Sequence, residues 1–445
     1  MASDRALGIG MGTAWGGASR MVVVLLVTLG FGIGAHGDES WARFRGPNGT
    51  GVVQDDSIPV RWEAADYNWQ VALPGIGHAS PVVWKDRVFV STGDPQTAER
   101  SILCLAAEDG RLLWRRDFPS KAYPQHSSNS FAAATPTVDA SGVVWMWTTP
   151  EQVQVVAHTL DGELLWKRDL GAFIGANGSG GSPMLVRDLV IVANDQDDVR
   201  YLTRLNGKED PNAPVGSSQI VALDRKTGEI RWSCPRETVL ASYATPCVRT
   251  AADGREELVM TSTRHGIYGV DVESGKPRWE ISGMFPERCV GSPVLAGDLV
   301  LASYGRGVHG SLLVAARAGQ DGPAGPDTIA YEIKQSVPLV PTPVIVGELA
   351  FLWADTGVVT CIRAATGEQL WRERVGGEFY GSPICVAGRL YCIAKNGEVV
   401  VLAASSRYEL LARVPLGEDS YATPAVANGT IYLRTHSRLF SLGRK

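Results

Sequence analysis

One short phrase, a small residue followed by Ser or Thr and then Pro, recurs along this chain of 445 residues. With close variants included, its eight copies end at Pro81, Pro136, Pro183, Pro246, Pro293, Pro343, Pro383 and Pro424. Successive copies are 55, 47, 63, 47, 50, 40 and 41 residues apart. A period in this range, filled with short alternating apolar runs, is typical of the blades of a β-propeller.

Each copy opens a similar series of predicted strands. Pro can begin a strand because the first residue need not donate to the ladder, and runs such as "PVVWKDRVFV" then predict a tight hairpin. Segments such as "ALDRKTGEIRW" predict a third and a fourth strand, joined by a turn in which Gly adopts a positive φ. The Trp four residues after that Gly is expected to bury its ring between neighbouring blades. These docking residues are Trp114, Trp166, Trp232, Trp279 and Trp371.

The last copy, "SYATPAVANGTIYLRTHSRLFSLGRK", contains only three strand-like runs. The missing strand can come from "YNWQVAL", in which Trp69 takes the docking position. The sequence therefore predicts an all-β fold: an eight-bladed β-propeller of four-stranded antiparallel blades over residues 66–445, closed by an N-terminal strand in the last blade. Residues 38–65 are predicted to form an N-terminal arm. In the fifth and seventh blades, "DTIAYEI" (with Tyr331) and "RYELLARV" replace the Gly-x-x-x-Trp ending.

Residues 1–37 have the pattern of a cleaved export signal. Arg5 and Arg20 precede the apolar stretch "MVVVLLVTLGFGIG", and "AHG" places small residues before a cut after Gly37. The apolar stretch is shorter than the about 20 residues of a membrane span. No Cys precedes Cys104, so the lipid-bearing Cys of a lipoprotein is missing. We expect a periplasmic or secreted protein with no integral membrane span after cleavage.

The composition narrows the range of partners. The net charge is −5 and no Lys/Arg run occurs, which disfavours a nucleic-acid partner. No HExxH, phosphate-loop or GxSxG motif occurs in the sequence. We expect a monomer. Among the seven cysteines, Cys385 and Cys392 lie in one predicted hairpin and could form a disulfide, or both could be buried thiols.

The turns between second and third strands should share one face with the loops that lead into the first strands. The turns supply candidate ligand-binding residues, namely Arg264, His265, Arg306, His309, Asp355, Lys395, Asn396, Arg434 and His436. The lead-in loops add His78, Ser128, Asn129, Tyr243, Tyr380 and Tyr421. Cationic, imidazole and phenolic groups on one rim would suit an anionic or polyhydroxylated ligand. The alternative is that these turns are polar because they face water.

A long insertion in the third blade carries four clustered oxygen-bearing side chains. Asn194, Asp195, Asp197 and Asp198 are candidate ligands for Ca²⁺. Their spacing does not match an EF-hand, and a solvated acidic loop is the alternative interpretation.

The segment "ALDRKTGEIRW" resembles the tryptophan-docking repeat of the pyrroloquinoline-quinone (PQQ)-like propellers. That group includes quinoprotein alcohol dehydrogenases and the propeller subunit of the outer-membrane barrel assembly machinery. The arm "WARFRGPNGTG", the segment "GIGHASPVVW" and the ending "YLRTHSRLFSLG" are similar to a subgroup of exported PQQ-like repeat proteins abundant in planctomycete-type bacteria. The resemblance covers nearly all of the mature chain and implies the fold, whereas a propeller supports many functions.

Two functions are compatible with this resemblance. The first is a binding or assembly scaffold that holds an envelope protein or a carbohydrate on the loop-rich face without turnover. The alternative is a short PQQ-dependent dehydrogenase of alcohols or sugars, in which the cationic rim would hold the quinone carboxylates and acidic residues would hold Ca²⁺. Quinoprotein dehydrogenases typically carry adjacent cysteines over the cofactor, and this sequence has no Cys-Cys pair. The scaffold is therefore the favoured function.

Overall fold

A computed structural model describes residues 40–175, 178, 180–305, 311–319, 322–323 and 326–444. The predicted signal of residues 1–37 and the candidates Arg306 and His309 lie outside these residues. Three short strands precede the blades: β1 (Ser40–Trp41), β2 (Val52–Val53) and β3 (Tyr67–Ala72). Short 3-10 helices occupy Pro47–Gly49, Ala64–Asp66 and Pro326–Thr328.

The first four blades follow in chain order, each built mainly from one four-stranded antiparallel meander. Blade 1 contains β4 (Val82–Trp84), β5 (Arg87–Gly93), β6 (Arg100–Ala106) and β7 (Leu112–Phe118). Blade 2 contains β8 (Thr137–Asp139), β9 (Gly142–Thr149), β10 (Gln152–His158) and β11 (Leu164–Asp169). Blade 3 contains β12 (Met184–Val186), β13 (Leu189–Asn194), helix α1 (Val199–Leu205), β14 (Ser218–Asp224) and β15 (Ile230–Arg236). Blade 4 contains β16 (Cys247–Thr250), β17 (Glu256–Ser262), β18 (Gly266–Asp271) and β19 (Pro277–Ile281).

The remaining four blades repeat this arrangement. Blade 5 contains β20 (Val294–Ala296), β21 (Leu299–Gly305), β22 (Ser311–Arg317) and β24 (Ile329–Ile333), and between them β23 (Gly322–Pro323) pairs in parallel with β19 of blade 4. Blade 6 contains β25 (Val344–Val346), β26 (Leu349–Trp353), β27 (Val358–Arg363) and β28 (Gln369–Arg374). Blade 7 contains β29 (Ile384–Val386), β30 (Arg389–Ile393), β31 (Glu398–Ala403) and β32 (Leu410–Pro415). Blade 8 contains β33 (Ala425–Ala427), β34 (Thr430–Arg434) and β35 (Arg438–Gly443).

The fourth strand of blade 8 comes from the start of the chain, as the sequence predicts. Strand β3 pairs antiparallel with β35, with Trp69 opposite Ser441 and Val71 opposite Leu439. The edge that β35 would otherwise expose is therefore paired, and the ring of eight blades is closed. The apolar core is divided into clusters between successive blades, such as the cluster that joins Phe89 of blade 1 to Trp145 of blade 2.

The docking residues join each blade to the next by one recurring contact. At five interfaces the indole Nε1 donates to a backbone carbonyl of the next blade at 2.8–3.1 Å. The pairs are Trp69 to Ala107, Trp114 to Leu160, Trp166 to Arg225, Trp232 to Val272, and Trp371 to Ser405. The ring of Trp69 also covers Gly110, which has a φ of 72° and at which a Cβ atom would lie 2.7 Å from the indole. The Gly of the repeat therefore serves both its own turn and the Trp of the preceding blade.

Two positions depart from this contact in different ways. Tyr331 replaces Trp in blade 5, and its hydroxyl donates to the carbonyl of Ala364 in blade 6 at 2.6 Å. Trp279 instead donates to the Glu257 carboxylate of its own blade at 2.9 Å. The Tyr at this position therefore reproduces the interblade bond, whereas one of the predicted Trp residues does not form it.

Blade 7 has Ala412 at the docking position, and the N-terminal arm supplies the missing aromatic ring. Trp62 is buried in the same cluster as Ala412 and Val414, at the junction of blades 7 and 8. The neighbouring Arg61 guanidinium donates to the carbonyl of Leu411 at 2.9 Å, which fastens the arm to the outer strand of blade 7. The arm thus completes a blade interface that the local sequence leaves short of apolar volume.

All seven cysteines are free and buried. Cys385 lies opposite Leu390, which leaves Cys392 at the diagonal position of the same hairpin, and both thiols are free and buried. The second of the two predicted alternatives, a pair of buried thiols, is therefore the one observed. Burial raises the pKa of the Cys385 thiol to about 11.

We expect Trp62→Ala to lower the free energy of unfolding by about 3–5 kcal/mol, because a large buried ring is lost from the junction of blades 7 and 8. The matched control is Leu410→Ala, since Leu410 lies in the same surface groove and is 41% exposed. Its effect should be within about 0.5 kcal/mol. Urea unfolding followed by far-ultraviolet circular dichroism measures both. Equal effects of the two substitutions would show that Trp62 does not replace the missing docking residue.

Candidate functional site: a central cavity

The Ser or Thr of the repeated phrase forms a ring of hydroxyl groups around the propeller axis, which we call the hydroxyl ring. Its members are Ser80, Thr135, Ser182, Thr245, Ser292, Thr342, Ser382 and Thr423. The backbone N–H of one member donates to the hydroxyl of the next, as from Ser80 to Thr135 at 2.9 Å. Among the described residues, seven such bonds of 2.9–3.1 Å are formed, and the bond from Thr423 to Ser80 joins blade 8 to blade 1.

The N-terminal arm crosses the channel on the side of the hydroxyl ring away from the lead-in loops. Strand β1 pairs with β4 of blade 1, and β2 pairs in parallel with β29 of blade 7. Between them, the Asn48 side chain donates to the carbonyl of Val248 in blade 4 and accepts from its N–H. The channel therefore becomes a cavity of about 500 Å³, with Phe44 and the hydroxyl ring among its lining residues.

Two arginines of the arm are buried beneath the hydroxyl ring. The Arg45 guanidinium donates to the carbonyls of Thr342, Pro343 and Pro383 at 2.7–3.0 Å, and its pKa is lowered by burial to about 9. Arg43 donates to the carbonyl of Pro246 at 2.6 Å, and burial lowers its pKa to about 10. Both side chains remain protonated at neutral pH.

An aromatic wall lies at the junction of blades 7, 8 and 1. The ring centroid of His78 is 4.5 Å from that of Tyr421 and 5.1 Å from that of His436, and Tyr380 is 5.0 Å from Tyr421. The Lys395 ammonium lies 4.6 Å from the centre of the Tyr380 ring, where cation–π attraction is favourable. Burial, and then the nearby His436 and Arg434 side chains, lower the pKa of His78 to about 3, so that its ring is neutral at pH 7.

Arg434 lies behind this wall and is fully buried. Its Nη1 atom donates to the carbonyl of Ala79, while Nε and Nη2 are buried without a hydrogen-bond partner in the described part of the chain. Burial lowers its pKa to about 9. Ala79 directly precedes Ser80, so this guanidinium also adjoins the hydroxyl ring.

The opposite wall combines an ion pair, an unpaired carboxylate oxygen and apolar side chains. Arg288 pairs with the fully buried Asp197 at 2.8 Å and lies over the ring of Tyr243. Oε2 of Glu287 is buried and has no hydrogen-bond partner among the described residues. The third-blade insertion contributes Leu202 and Leu205 of helix α1 to the cavity lining.

The structure brings together part of the predicted ligand face. Lys395, Arg434 and His436 meet the lead-in residues His78, Tyr380 and Tyr421 at the aromatic wall, and Ser128, Asn129 and Tyr243 line the same cavity.

Four other predicted residues are neither part of the aromatic wall nor among the residues that line the cavity. Arg264 is exposed, and His265 is held between Glu280 and the N–H of Glu237. Asp355 accepts from the N–H groups of Leu339 and Val340, which fixes a lead-in loop. Burial raises the pKa of this carboxyl group. Asn396 accepts from the N–H of Glu398 within its own turn.

The four candidate calcium ligands do not converge. Asp197 is engaged by Arg288 and by the N–H of Ala241, and Asp198 caps the N-terminus of α1. Asn194 accepts from the Gln196 side chain, and burial raises the pKa of Asp195 to about 7. Within the described ranges, no group of three or more His, Cys, Asp or Glu side chains could hold a metal ion. The interpretation of this cluster as a calcium site is therefore not supported, and neither is the picture of a solvated loop, because Asn194, Asp195 and Asp197 are buried.

Sequence reasoning missed the hydroxyl ring and the arginines of the arm. The ring had a usable signal, because a hydroxyl side chain occupies that position in all eight copies of the phrase. No sequence signal pointed to Arg43 and Arg45, because their hydrogen-bond partners are carbonyl groups two hundred or more residues away in sequence.

The blades, the docking contacts and the axial cavity define an eight-bladed propeller of the PQQ-like type. A family model described as outer membrane protein assembly factor BamB matches residues 60–220, 213–327 and 332–442. The chain belongs to that family.

Individual relatives share about a quarter of their residues with this chain over the matched region. The outer membrane protein assembly factor BamB of Yersinia pestis is 25% identical over 230 residues, which cover 48% of this chain and 54% of that protein. The chain thus matches about half the length of this relative.

Solved structures show the same fold. The crystal structure of BamB from Moraxella catarrhalis has a TM-score of 0.58 at 15% identity and covers 84% of this chain and 96% of its own. A europium-containing methanol dehydrogenase has a TM-score of 0.50 at 11% identity and covers 91% and 98%. None of the helices in the described part of the protein has the length and apolar composition needed to cross a membrane.

The low pKa of His78 predicts an acid-sensitive wall. Because the folded-state pKa of about 3 lies below the ordinary value of 6.5, protonation favours the unfolded chain, and stability is lost as the pH falls below 6.5. We expect the wild type to lose about 1–2 kcal/mol more than His78→Phe between pH 7 and pH 5. Urea midpoints at the two pH values measure this difference. Parallel losses in both proteins would show that His78 is not kept neutral by its surroundings.

Proposed function

We propose that this protein is a binding or assembly scaffold of the cell envelope, which holds a protein partner at the mouth of the central cavity. The observation that carries this proposal is the closure of one end of the channel by the arm, which leaves the loop-rich end for the partner. The described residues at that end include Tyr380, Tyr421, Tyr243 and Arg288, and Tyr and Arg are enriched at protein interfaces. A carbohydrate is the second class of ligand that such a wall could hold.

Two further features support this proposal. The matching family model and the Yersinia pestis relative are both described as an outer membrane protein assembly factor, and residues 1–37 have the composition of an export signal. We infer that the protein acts outside the cytoplasm, as a monomer.

The alternative of a PQQ-dependent dehydrogenase fits the described cavity less well. A quinone bound through Ca²⁺ needs several oxygen ligands from the protein, because Ca²⁺ takes six to eight of them. Glu287 is the single carboxylate among the described lining residues. Of the candidates in the third-blade insertion, Asn194, Asp197 and Asp198 are engaged by other protein groups. The residues present therefore do not fit a calcium-bound quinone.

The scaffold proposal is tested by partner capture from envelope extracts of the source cells. The variant Tyr380→Ala/Lys395→Ala/Tyr421→Ala removes the aromatic wall and its cation, and we expect it to lose the proteins that the tagged wild type co-purifies. The control Leu164→Ala/Leu165→Ala/Lys167→Ala changes exposed residues on the outer strand of blade 2 and should retain them. Quantitative mass spectrometry after cross-linking compares the three samples. Identical partner sets for both variants would contradict the proposal.

The dehydrogenase alternative has a separate test. PQQ and Ca²⁺ are added to the purified protein, and dye-linked oxidation of alcohols and sugars is measured. We expect no oxidation above that of a sample without protein. Turnover that requires both PQQ and Ca²⁺ would establish the alternative and overturn the scaffold proposal.

A further inference from the structure

The hydroxyl ring presents hydrogen-bond donors that the described protein does not use. A Ser or Thr hydroxyl has one proton to donate and two lone pairs that accept. Seven members accept a backbone N–H from the neighbouring blade, as Thr135 does from Ser80. In the described part of the chain, none of the eight donates its own proton to a protein atom. The waist of the cavity is therefore lined with O–H groups available to an acceptor.

Three buried guanidinium groups adjoin this ring. Each is bound to backbone carbonyls of ring members or of residues next to them: Arg434 to Ala79, Arg43 to Pro246, and Arg45 to Thr342, Pro343 and Pro383. None of the three forms an ion pair with a described carboxylate.

The acidic groups nearby do not neutralise this charge. Glu418 acts on Arg434 electrostatically, but its carboxylate accepts hydrogen bonds from Thr435 and Ser437. Glu287, on the far wall, is a single negative charge against three positive ones. Buried charges that are not ion-paired with a carboxylate create a strong local potential in a low-dielectric surrounding, and this potential is positive here.

One side of the cavity above the ring is aromatic and largely apolar. The neutral imidazole of His78 and the rings of Tyr380 and Tyr421 form one side. Leu240, Leu339 and Val340 are among the other lining residues. A ligand that fills the cavity therefore meets hydroxyl donors, backed by three buried cations, at its inner end. Nearer the mouth it meets flat apolar surfaces on the side opposite Glu287 and Arg288.

We infer that the central cavity binds a small organic oxyanion, a carboxylate, sulfonate or phosphate ester carried on an apolar body. The oxyanion accepts from the hydroxyl ring, and the apolar body lies against the aromatic wall. This ligand site rests on the proposed function in one respect, since the ligand enters through the same loop-rich face. A cationic ligand held by Glu287 is the competing assignment, and it leaves three guanidinium groups uncompensated.

The test compares two probes of the same shape and different charge, 2-naphthoate and 2-naphthamide. Isothermal titration calorimetry on the full chain at pH 7.5 measures both affinities. We expect 2-naphthoate to bind with a dissociation constant below about 1 mM and at least about tenfold more tightly than the amide. Inorganic phosphate, which has the oxyanion alone, should compete only weakly. Equal affinities, tighter binding of the amide, or no binding of 2-naphthoate would overturn the inference.

A pair of arginine variants separates the site from general surface charge. Arg434→Met replaces a fully buried, partly unpaired cation by an apolar side chain, so we expect unchanged or higher thermal stability. The affinity for 2-naphthoate should fall about fivefold or more, while that for 2-naphthamide stays within about twofold. The control Arg264→Met removes a side chain that is 57% exposed and should change neither affinity. Equal effects of the two variants would contradict the inference. If Arg434→Met does not fold, the comparison of 2-naphthoate with 2-naphthamide on the wild type tests the inference.

This inference and the scaffold proposal fail separately. Charge-selective binding of 2-naphthoate without loss of partners in the aromatic-wall variant would retain the ligand site and remove the scaffold role assigned to that face. Loss of partners in that variant, without any preference of the wild type for the carboxylate probe, would retain the scaffold role and remove the ligand site.

Discussion

The pairing of β3 with β35 is the contact on which the rest of the structure depends. It joins residues near the two ends of the described chain, and it places blade 8 beside blade 1. The hydrogen bond from Thr423 to Ser80 can form only across this junction, and so can the contact between the rings of His78 and His436. Closure of the fold and construction of the cavity wall are therefore one event, because the wall is made of residues from both sides of the seam.

The docking contacts explain why eight sectors can differ in sequence and still form one ring. The shared requirement is an aromatic ring at the interface, and at six described interfaces its polar edge reaches a carbonyl of the next blade. Tyr331 satisfies it with a hydroxyl group instead of an indole N–H. Trp62 supplies the apolar volume from outside the blade when the local residue is Ala412. Within this chain, the repeats therefore share an aromatic contact between blades more consistently than they share a Trp at one sequence position.

The fold could be predicted almost completely from the sequence because its determinants are local. Each blade is marked by a Pro at the start of a strand, a Gly in a turn and a Trp four residues later, all within about 40 to 60 residues. The recurrence of these marks gives the number of blades. The site could be predicted only in part. Turn position selected Lys395, Arg434 and His436, which lie at the aromatic wall. It also selected His265, whose ring is held by Glu280 of its own blade. Whether a polar turn residue faces the axis or a neighbouring loop depends on the tilt of each blade, which no local pattern encodes.

The N-terminal arm contributes to both the fold and the candidate site. As a segment of structure it completes the interface of blade 7 through Trp62 and closes the channel between blades 1 and 7. As a source of charge it brings Arg43 and Arg45 beneath the hydroxyl ring. Burying two guanidinium groups is a poor way to stabilise a fold, because the cost of desolvation is not recovered without a carboxylate partner. An apolar arm would close the channel with less cost. The placement of cations beneath a ring of hydroxyl groups whose protons no described protein atom accepts therefore supports the ligand site proposed above.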